Sequence, residues 1–370
     1  MDSHLHIVSF NVPYPADYGG VIDVFYRIKA LAEAGVKVHL HCFSYGRPPA
    51  PELEQLCHTV YYYRRDTSPL RLLDKRPYIV ASRSNDDLCR TLLLDDYPIL
   101  LEGIHCCDVL ERKEFDGRKV MVRAHNVEAD YYRMLSIAEH SLLRKCYLRS
   151  ETRKLRRYES ILARAAVVFA ISQQDARSFE AMGMHNVQVI SASHPFDKVV
   201  ALTGRGDYAL FHGNLSVPEN YRAVEFLAEN LFADGQISFV VAGNHPPQWL
   251  RTKLSGYRNV TLVDSPDEAT MQRLVREAQV ILLRTDQPTG MKLKLLHSLF
   301  AGRHCLVNSD MVAGTSLAPL CTVADDVSSL RKALERLMAT DFDASMLNRR
   351  ADTLAALVPA AVNQKIIDQL

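Results

Sequence analysis

Two lysines near the start of an expected helix give the plainest chemical signal in this chain. They lie in Thr289 to Arg303, TGMKLKLLHSLFAGR, which follows the apolar run Val280 to Leu283 and a short polar loop. Leu293, Leu296 and Phe300 fall on one side of the helix, with Lys292 and Lys294 near its beginning. A helix start leaves N–H groups unpaired and carries the positive end of the dipole, so it suits a phosphate. Gly290, between Thr289 and Met291, lets the backbone come close to such a group. Cations at this end are unfavourable by themselves, so something anionic is expected to offset their repulsion. The plainer alternative is a buried helix whose lysine stems reach solvent.

Other polar residues fall just past predicted strands, where ligands of parallel sheets sit. His125, Asn126 and Glu128 follow a strand expected at 119–123. His125 is a candidate for proton exchange there, and Asn126 could instead cap a helix. Glu102 and His105 follow the strand Ile99 to Leu101, although a histidine beside Cys106 and Cys107 could equally only pack. Gly19 and Gly20 open a helix after the first strand and could admit a diphosphate or simply form a turn. Gly213 and Asn214 follow the strand at 208–212, and Gly314 and Thr315 follow the one at 304–307. Each loop is unspecific alone; their convergence on one sheet edge is the stronger signal. The GxGxxG pattern is missing, which sets aside a nicotinamide or flavin enzyme.

The elements that must position these residues alternate between strand and helix. His6 to Phe10 reads as a strand, and Val21, Val24, Phe25, Ile28, Leu31 and Ala32 mark the apolar face of the helix after it. Val36 to Phe43, Ile99 to Leu101, Lys119 to Arg123 and Val167 to Ile171 are further strands, and Ser172 caps a helix over 173–182. A second series has strands at 208–212, 237–242, 260–263, 280–283 and 304–307, with helices near 218–230, 267–277, 290–301 and 327–339. Ser265-Pro-Asp-Glu268 reads as cap, first-turn proline and capping-box acid. Leu202 to Asp207 reads as a linker. This alternation predicts an α/β protein of two doubly wound parallel-sheet domains facing a cleft.

Composition bounds the partners. The chain has 370 residues, 44 basic against 43 acidic, for a net charge of +1, so nucleic acid is not expected as the main partner. Its 8 cysteines include no CxxC pair, which argues against a zinc site or a disulfide framework and for a reducing compartment. Met1 to His6 lacks the basic start of a signal peptide, and no apolar run reaches membrane-span length, so a soluble cytoplasmic protein is expected. Between Leu142 and Arg164, eight basic residues stand against Glu151 and Glu159 only. A helix of that kind could be a solvated face, or could lie on an anionic membrane surface beside a lipid-linked acceptor.

Taken together, Pro13-x-Pro15-x-x-x-Gly19-Gly20, Arg123-x-His125-Asn126, Ile171-Ser172, Gly213-Asn214-Leu215, Gly290-Met-Lys292-x-Lys294-Leu295, Ala301-Gly302-Arg303 and Gly314-Thr315 resemble a GT-B glycosyltransferase, similar to the retaining family 4. The resemblance implies Rossmann-like domains over 1–200, on the acceptor side, and 207–350, binding the donor. It also implies that a final helix within 351–370 returns to the first domain. It implies a UDP- or GDP-sugar donor, a glycan or lipid-linked acceptor, and neither cofactor nor metal. Lys292 or Lys294 would stabilise the leaving diphosphate, and His125 would lie near the transferred sugar. Gly20 and Gly213 would border the phosphates. The family carries two glutamates where this chain has Thr289 and His297. That departure keeps two alternatives in view: an epimerase or hydrolase of nucleotide sugars, and an inactive scaffold.

Overall fold

The computed structural model describes residues 3–139, 141–286 and 293–370. The chain divides into two compact units. One runs to Pro195 and takes in Pro359–Leu370; the other is Phe196–Val358.

The first unit is built on a seven-stranded sheet of β1 (His4–Ser9), β2 (Lys37–Ser44), β3 (Thr59–Arg64), β4 (Ile99–Glu102), β5 (Val120–Ala124), β6 (Val167–Ala170) and β7 (Val187–Val189), in the order β3-β2-β1-β4-β5-β6-β7. The second holds six strands: β8 (Tyr208–His212), β9 (Ser238–Gly243), β10 (Val260–Asp264), β11 (Val280–Leu283), β12 (His304–Val307) and β13 (Thr322–Val323), in the order β10-β9-β8-β11-β12-β13. Every strand pair is parallel. Central strands such as Ile99–Glu102 and Val280–Leu283 are buried along their whole length, which is why they read as continuous apolar runs. Each sheet reverses its winding once, between β1 and β4 and between β8 and β11. In such sheets the crevice lies beyond the strand C-termini at the reversal. Glu102 ends β4 and His212 ends β8, so both stand at these points.

The expected α/β architecture is present, with two Rossmann-like sheets. Sequence periodicity misses β3, β7 and β13, each at or next to a sheet edge. Their residues are mostly half-buried or exposed, so no unbroken apolar run marks them. One expected cap is corrected, and the capping alternative for Asn126 falls. The Glu268–Glu277 helix is capped by Asp267, whose Oδ1 accepts from Thr270 N at 2.8 Å. Ser265 instead turns left-handed at φ 49° and gives its N–H to Gly243 O at 2.9 Å. Pro266 disfavours a helical conformation at that serine. Asn126 does not cap the Glu128–Ala138 helix; Val127 holds the cap position without a side-chain bond.

Leu202 to Asp207 is not a free linker. Gly204 exchanges backbone hydrogen bonds with Phe342 at 2.9 and 3.0 Å, and Arg205 pairs with Asp341 at 2.7 Å. At the far end, the Ala344–Leu354 helix stays with the second unit, while the Pro359–Ile367 helix packs on Gly19–Glu33 in the first.

Candidate functional site

The polar centre of the first unit is assembled from Gly19–Glu33, β4 and β5. Asp23 and Arg27 are one helical turn apart on the face that also buries Val24, Ile28 and Leu31. Arg27 Nη2 lies 2.5 Å from Asp23 Oδ2, and Arg27 Nε donates to Glu102 Oε1 at 2.8 Å. Arg123 Nε donates to Asp23 Oδ2 at 3.1 Å, and its other nitrogens reach the carbonyls of Ala170, Ile190 and Ser191. His125 Nε2 donates to Glu102 Oε2 at 2.9 Å, and its Nδ1 lies 3.6 Å from Asp23 Oδ2. Both carboxyls are held below their usual range. Burial opposes this, but Arg123 and Arg27 outweigh it at Asp23, and Arg27 and His125 outweigh it at Glu102. Two carboxylates against two guanidiniums make the cluster self-neutralised, as buried charges require.

Asp23, Glu102 and His125 also form the one group of metal-ligand type among the described residues, with one atom from each lying within 4.8 Å of the others. Each carboxylate already faces arginine, so a cation there would meet two guanidiniums. The donor set therefore fits ion pairing better than a metal.

His105 stands beside this network. Its ring is 5.2 Å from Phe10, and Phe10 meets His125 edge-on at 5.6 Å. Gly103 has φ 80°, and a Cβ there would lie 2.7 Å from His105 Nδ1, so only glycine fits the turn. His105 is kept neutral by burial first and by Arg83 next. Gly19 opens its helix behind Tyr18, and a Cβ on Gly20 would crowd Phe10 at 2.9 Å. Asn126 donates to Glu128 Oε1 at 3.3 Å. Glu128 and nearby Glu159 are both pushed up to about 7, chiefly by burial.

In the second unit, Lys294 lies in the Leu293–Ala301 helix, on β11's side of the winding reversal. Its Nζ donates to Asn220 Oδ1 at 2.7 Å and lies 5.8 Å from the Phe211 ring. Asn220 in turn donates to Asn214 O at 2.8 Å, which ties the loop after β8 to the lysine. Burial lowers the Lys294 ammonium, and Glu219 partly opposes that. Glu219 accepts a hydrogen bond from Thr285, in the loop after β11. His212 is held neutral by burial; its Nε2 donates to Ser298 Oγ at 2.8 Å, and that hydroxyl donates to Lys294 O at 2.8 Å. His297 packs edge-on against His212 at 5.3 Å and lies tilted against Phe196 at 5.0 Å.

Of the residues expected from sequence, the first unit gathers Glu102, His105, His125, Asn126 and Glu128 near one strand edge. The second gathers Gly213, Asn214, Lys294 and His297. Gly314 and Thr315 form a separate turn after β12, where Thr315 Oγ1 donates to Val312 O at 2.8 Å. Thr289, Gly290, Met291 and Lys292 lie outside the described residues. Sequence reading missed Asp23, Arg27, Glu219 and Asn220. Asp23 and Arg27 left a usable signal, an acid and a base at i and i+4 within an apolar face.

No protein-family model matches the chain. It is similar to an uncharacterized 44.6 kDa protein in the cps region of Klebsiella pneumoniae, 25% identical over 311 residues, with 79% of each chain covered. Solved structures align over nearly the whole chain. The lipopolysaccharide outer core galactosyltransferase WaaB gives a TM-score of 0.66 at 12% identity, covering 99% of this chain and 100% of that one. HepE from Anabaena, in complex with UDP and glucose, gives 0.62 at 13%, with 98% of each chain covered. A UDP-forming trehalose-phosphate synthase from Burkholderia xenovorans gives 0.63 at 13%, covering 99% and 98%. At these identities the likeness carries the fold, and the fold is GT-B.

Proposed function

We propose that the chain is a glycosyltransferase that moves a sugar from a UDP- or GDP-sugar to a glycan or lipid-linked acceptor, without a metal. The observation that carries this reading is Lys294. A lysine whose charge burial disfavours stands near the beginning of a helix, where the dipole also disfavours it. An anionic diphosphate at the strand edge would relieve both penalties. One GT-B neighbour, HepE, solved both with UDP and glucose and with UDP-glucose bound, supports a nucleotide donor. The name of the Klebsiella relative supports polysaccharide synthesis as the setting.

On this reading, charge developing on the departing diphosphate is met by Lys294 and helix N–H groups, which stabilise it most in the transition state. The sugar's bond to the diphosphate breaks as the acceptor hydroxyl bonds to the same carbon. His125, held by Glu102, serves the sugar side. The resemblance to the retaining family supports retention, and the absence of carboxylates at 289 and 297 gives the donor contacts a different chemistry from that family's.

The test is a thermal-shift titration with UDP, GDP, ADP, CMP and their sugar conjugates, since a ligand of the folded state raises the melting temperature. A shift with one nucleotide, lost in Lys294→Ala, supports the reading. No shift with any nucleotide overturns it and leaves the scaffold alternative. Turnover of the donor without an acceptor would favour the epimerase or hydrolase.

A further inference from the structure

We propose that the first unit carries a docking surface for an anionic phospholipid bilayer, formed by the Leu142–Tyr158 helix and the Pro69–Leu73 turn. Leucines project at both ends of this surface: Leu142 and Leu143 are 78% and 86% exposed, and Leu70 and Leu73 are 75% and 83% exposed. Single exposed leucines are ordinary. Two pairs joined through one framework are not.

The framework is specific. Lys154 Nζ donates to Leu72 O at 2.9 Å and lies 3.0 Å from Glu151 Oε1. Glu151 Oε2 accepts from Tyr78 N at 2.6 Å. Those bonds fasten the turn to the helix. Leu143, Tyr147, Glu151 and Lys154 follow helical spacing, so they lie along one side of the helix, exposed at Leu143 and buried at Glu151 where the turn is fastened.

Charge identifies the occupant. Among the described residues, Arg144, Lys145, Arg149, Arg153 and Arg157 form no ion pair, and no acid stands in the first turn of the helix. Arg144 and Lys145 therefore sit at the wrong end of the helix dipole, two cations where a single carboxylate, that of Glu139, accepts from the capping Ser141 N–H at 2.8 Å. A second copy of the same face would bring like charges together. An anionic lipid surface satisfies both features, because headgroups meet the cations while leucines enter the interface. No helix among the described residues is long and apolar enough to cross a membrane, so this contact lies on the surface of the bilayer.

This inference does not rest on the donor reading, because its test contains no nucleotide. The whole chain is sedimented with vesicles of phosphatidylcholine alone and of phosphatidylcholine with phosphatidylglycerol. Binding is expected only with the anionic vesicles, and is released by high salt. Each basic residue near such a surface is worth about fivefold in affinity, so Arg149→Glu with Arg153→Glu should weaken binding well over tenfold. Leu142→Ser with Leu143→Ser should weaken binding while leaving its salt dependence in place. Circular dichroism confirms that each variant is folded. Cys146 is the exposed cysteine among the eight, and an environment-sensitive dye on it should shift to the blue with anionic vesicles only. Absence of sedimentation, equal binding by the variants, or a concentration-dependent dimer without vesicle binding would each overturn the proposal.

Discussion

Glu102 fixes the orientation of His125: its Oε2 accepts from His125 Nε2 at 2.9 Å, while Oε1 accepts from Arg27 Nε at 2.8 Å. The imidazole proton is thereby committed to Nε2, and Nδ1 is the nitrogen left toward Asp23. If this histidine serves the sugar, His125→Ala should lower kcat by about 100-fold, the lower range for a positioned proton-exchanging group. Its thermal shift with nucleotide should be unchanged. Glu102→Gln should cut kcat as well and also destabilise the first unit by about 3 kcal/mol, because Arg27 loses part of its buried counter-charge. Full activity in both variants would remove His125 from the site.

Lys294 should behave in the opposite way. Removing a cation whose charge burial disfavours leaves the apo protein as stable as before or slightly more stable. The nucleotide-dependent rise in melting temperature should vanish in Lys294→Ala and in Lys294→Met. Isothermal titration with the nucleotide that shifts the wild type provides the check; unchanged affinity would move the diphosphate elsewhere.

The sequence discloses the fold through its central strands and the site only in part. Val280 to Leu283 and Ile99 to Leu101 are buried on both faces and so read as apolar runs. The tyrosine-rich β3 is half exposed and leaves no such trace. His125 and Glu102 were legible because they sit at strand ends. Asn220 was not, since it lies two residues inside a helix and becomes relevant only when folding brings it to Lys294. Across a gap of 74 residues, local pattern has no means of signalling that contact.

A chain of histidines should make the first unit acid-sensitive. Tyr63 OH donates to His41 Nδ1 at 3.1 Å, His41 Nε2 to His6 Nδ1 at 2.8 Å, and His6 Nε2 to Asp95 at 2.9 Å. His39 lies alongside, 2.9 Å from His4. Burial first, and neighbouring positive charge next, lower His41 and push His39 down to about 4; burial lowers His6 against the pull of Asp95. Their unfolded values stand near 6.5, so below about 6.5 the unfolded chain binds more protons, in a window that reaches down to about 4 for His39. Stability is then full above that window and falls as the pH drops through it. Melting curves of the wild type should show this loss, and His41→Gln, which keeps an amide able to bond, should show a shallower one. An identical slope in the variant would refute the assignment.

Glu128 and Glu159 should act with the reverse sign. Both carboxyls are pushed up to about 7, mainly by burial, from an unfolded value near 4.3. Between those values the folded chain binds more protons, so their contribution is most favourable at low pH and declines as the pH rises through about 7. Glu159 Oε1 accepts from Ala129 N at 2.9 Å, but Oε2 has no partner among the described residues. Ionisation therefore places charge on an oxygen with no donor to receive it. Glu159→Gln keeps the bond to Ala129 and removes the charge. It should raise the melting temperature at pH 8 and leave it nearly unchanged at pH 5, a pattern that His41→Gln cannot produce because its effect is confined to the acid side. An equal gain at both pH values would mean that the glutamine packs better, and that ionisation of this pair costs the fold nothing.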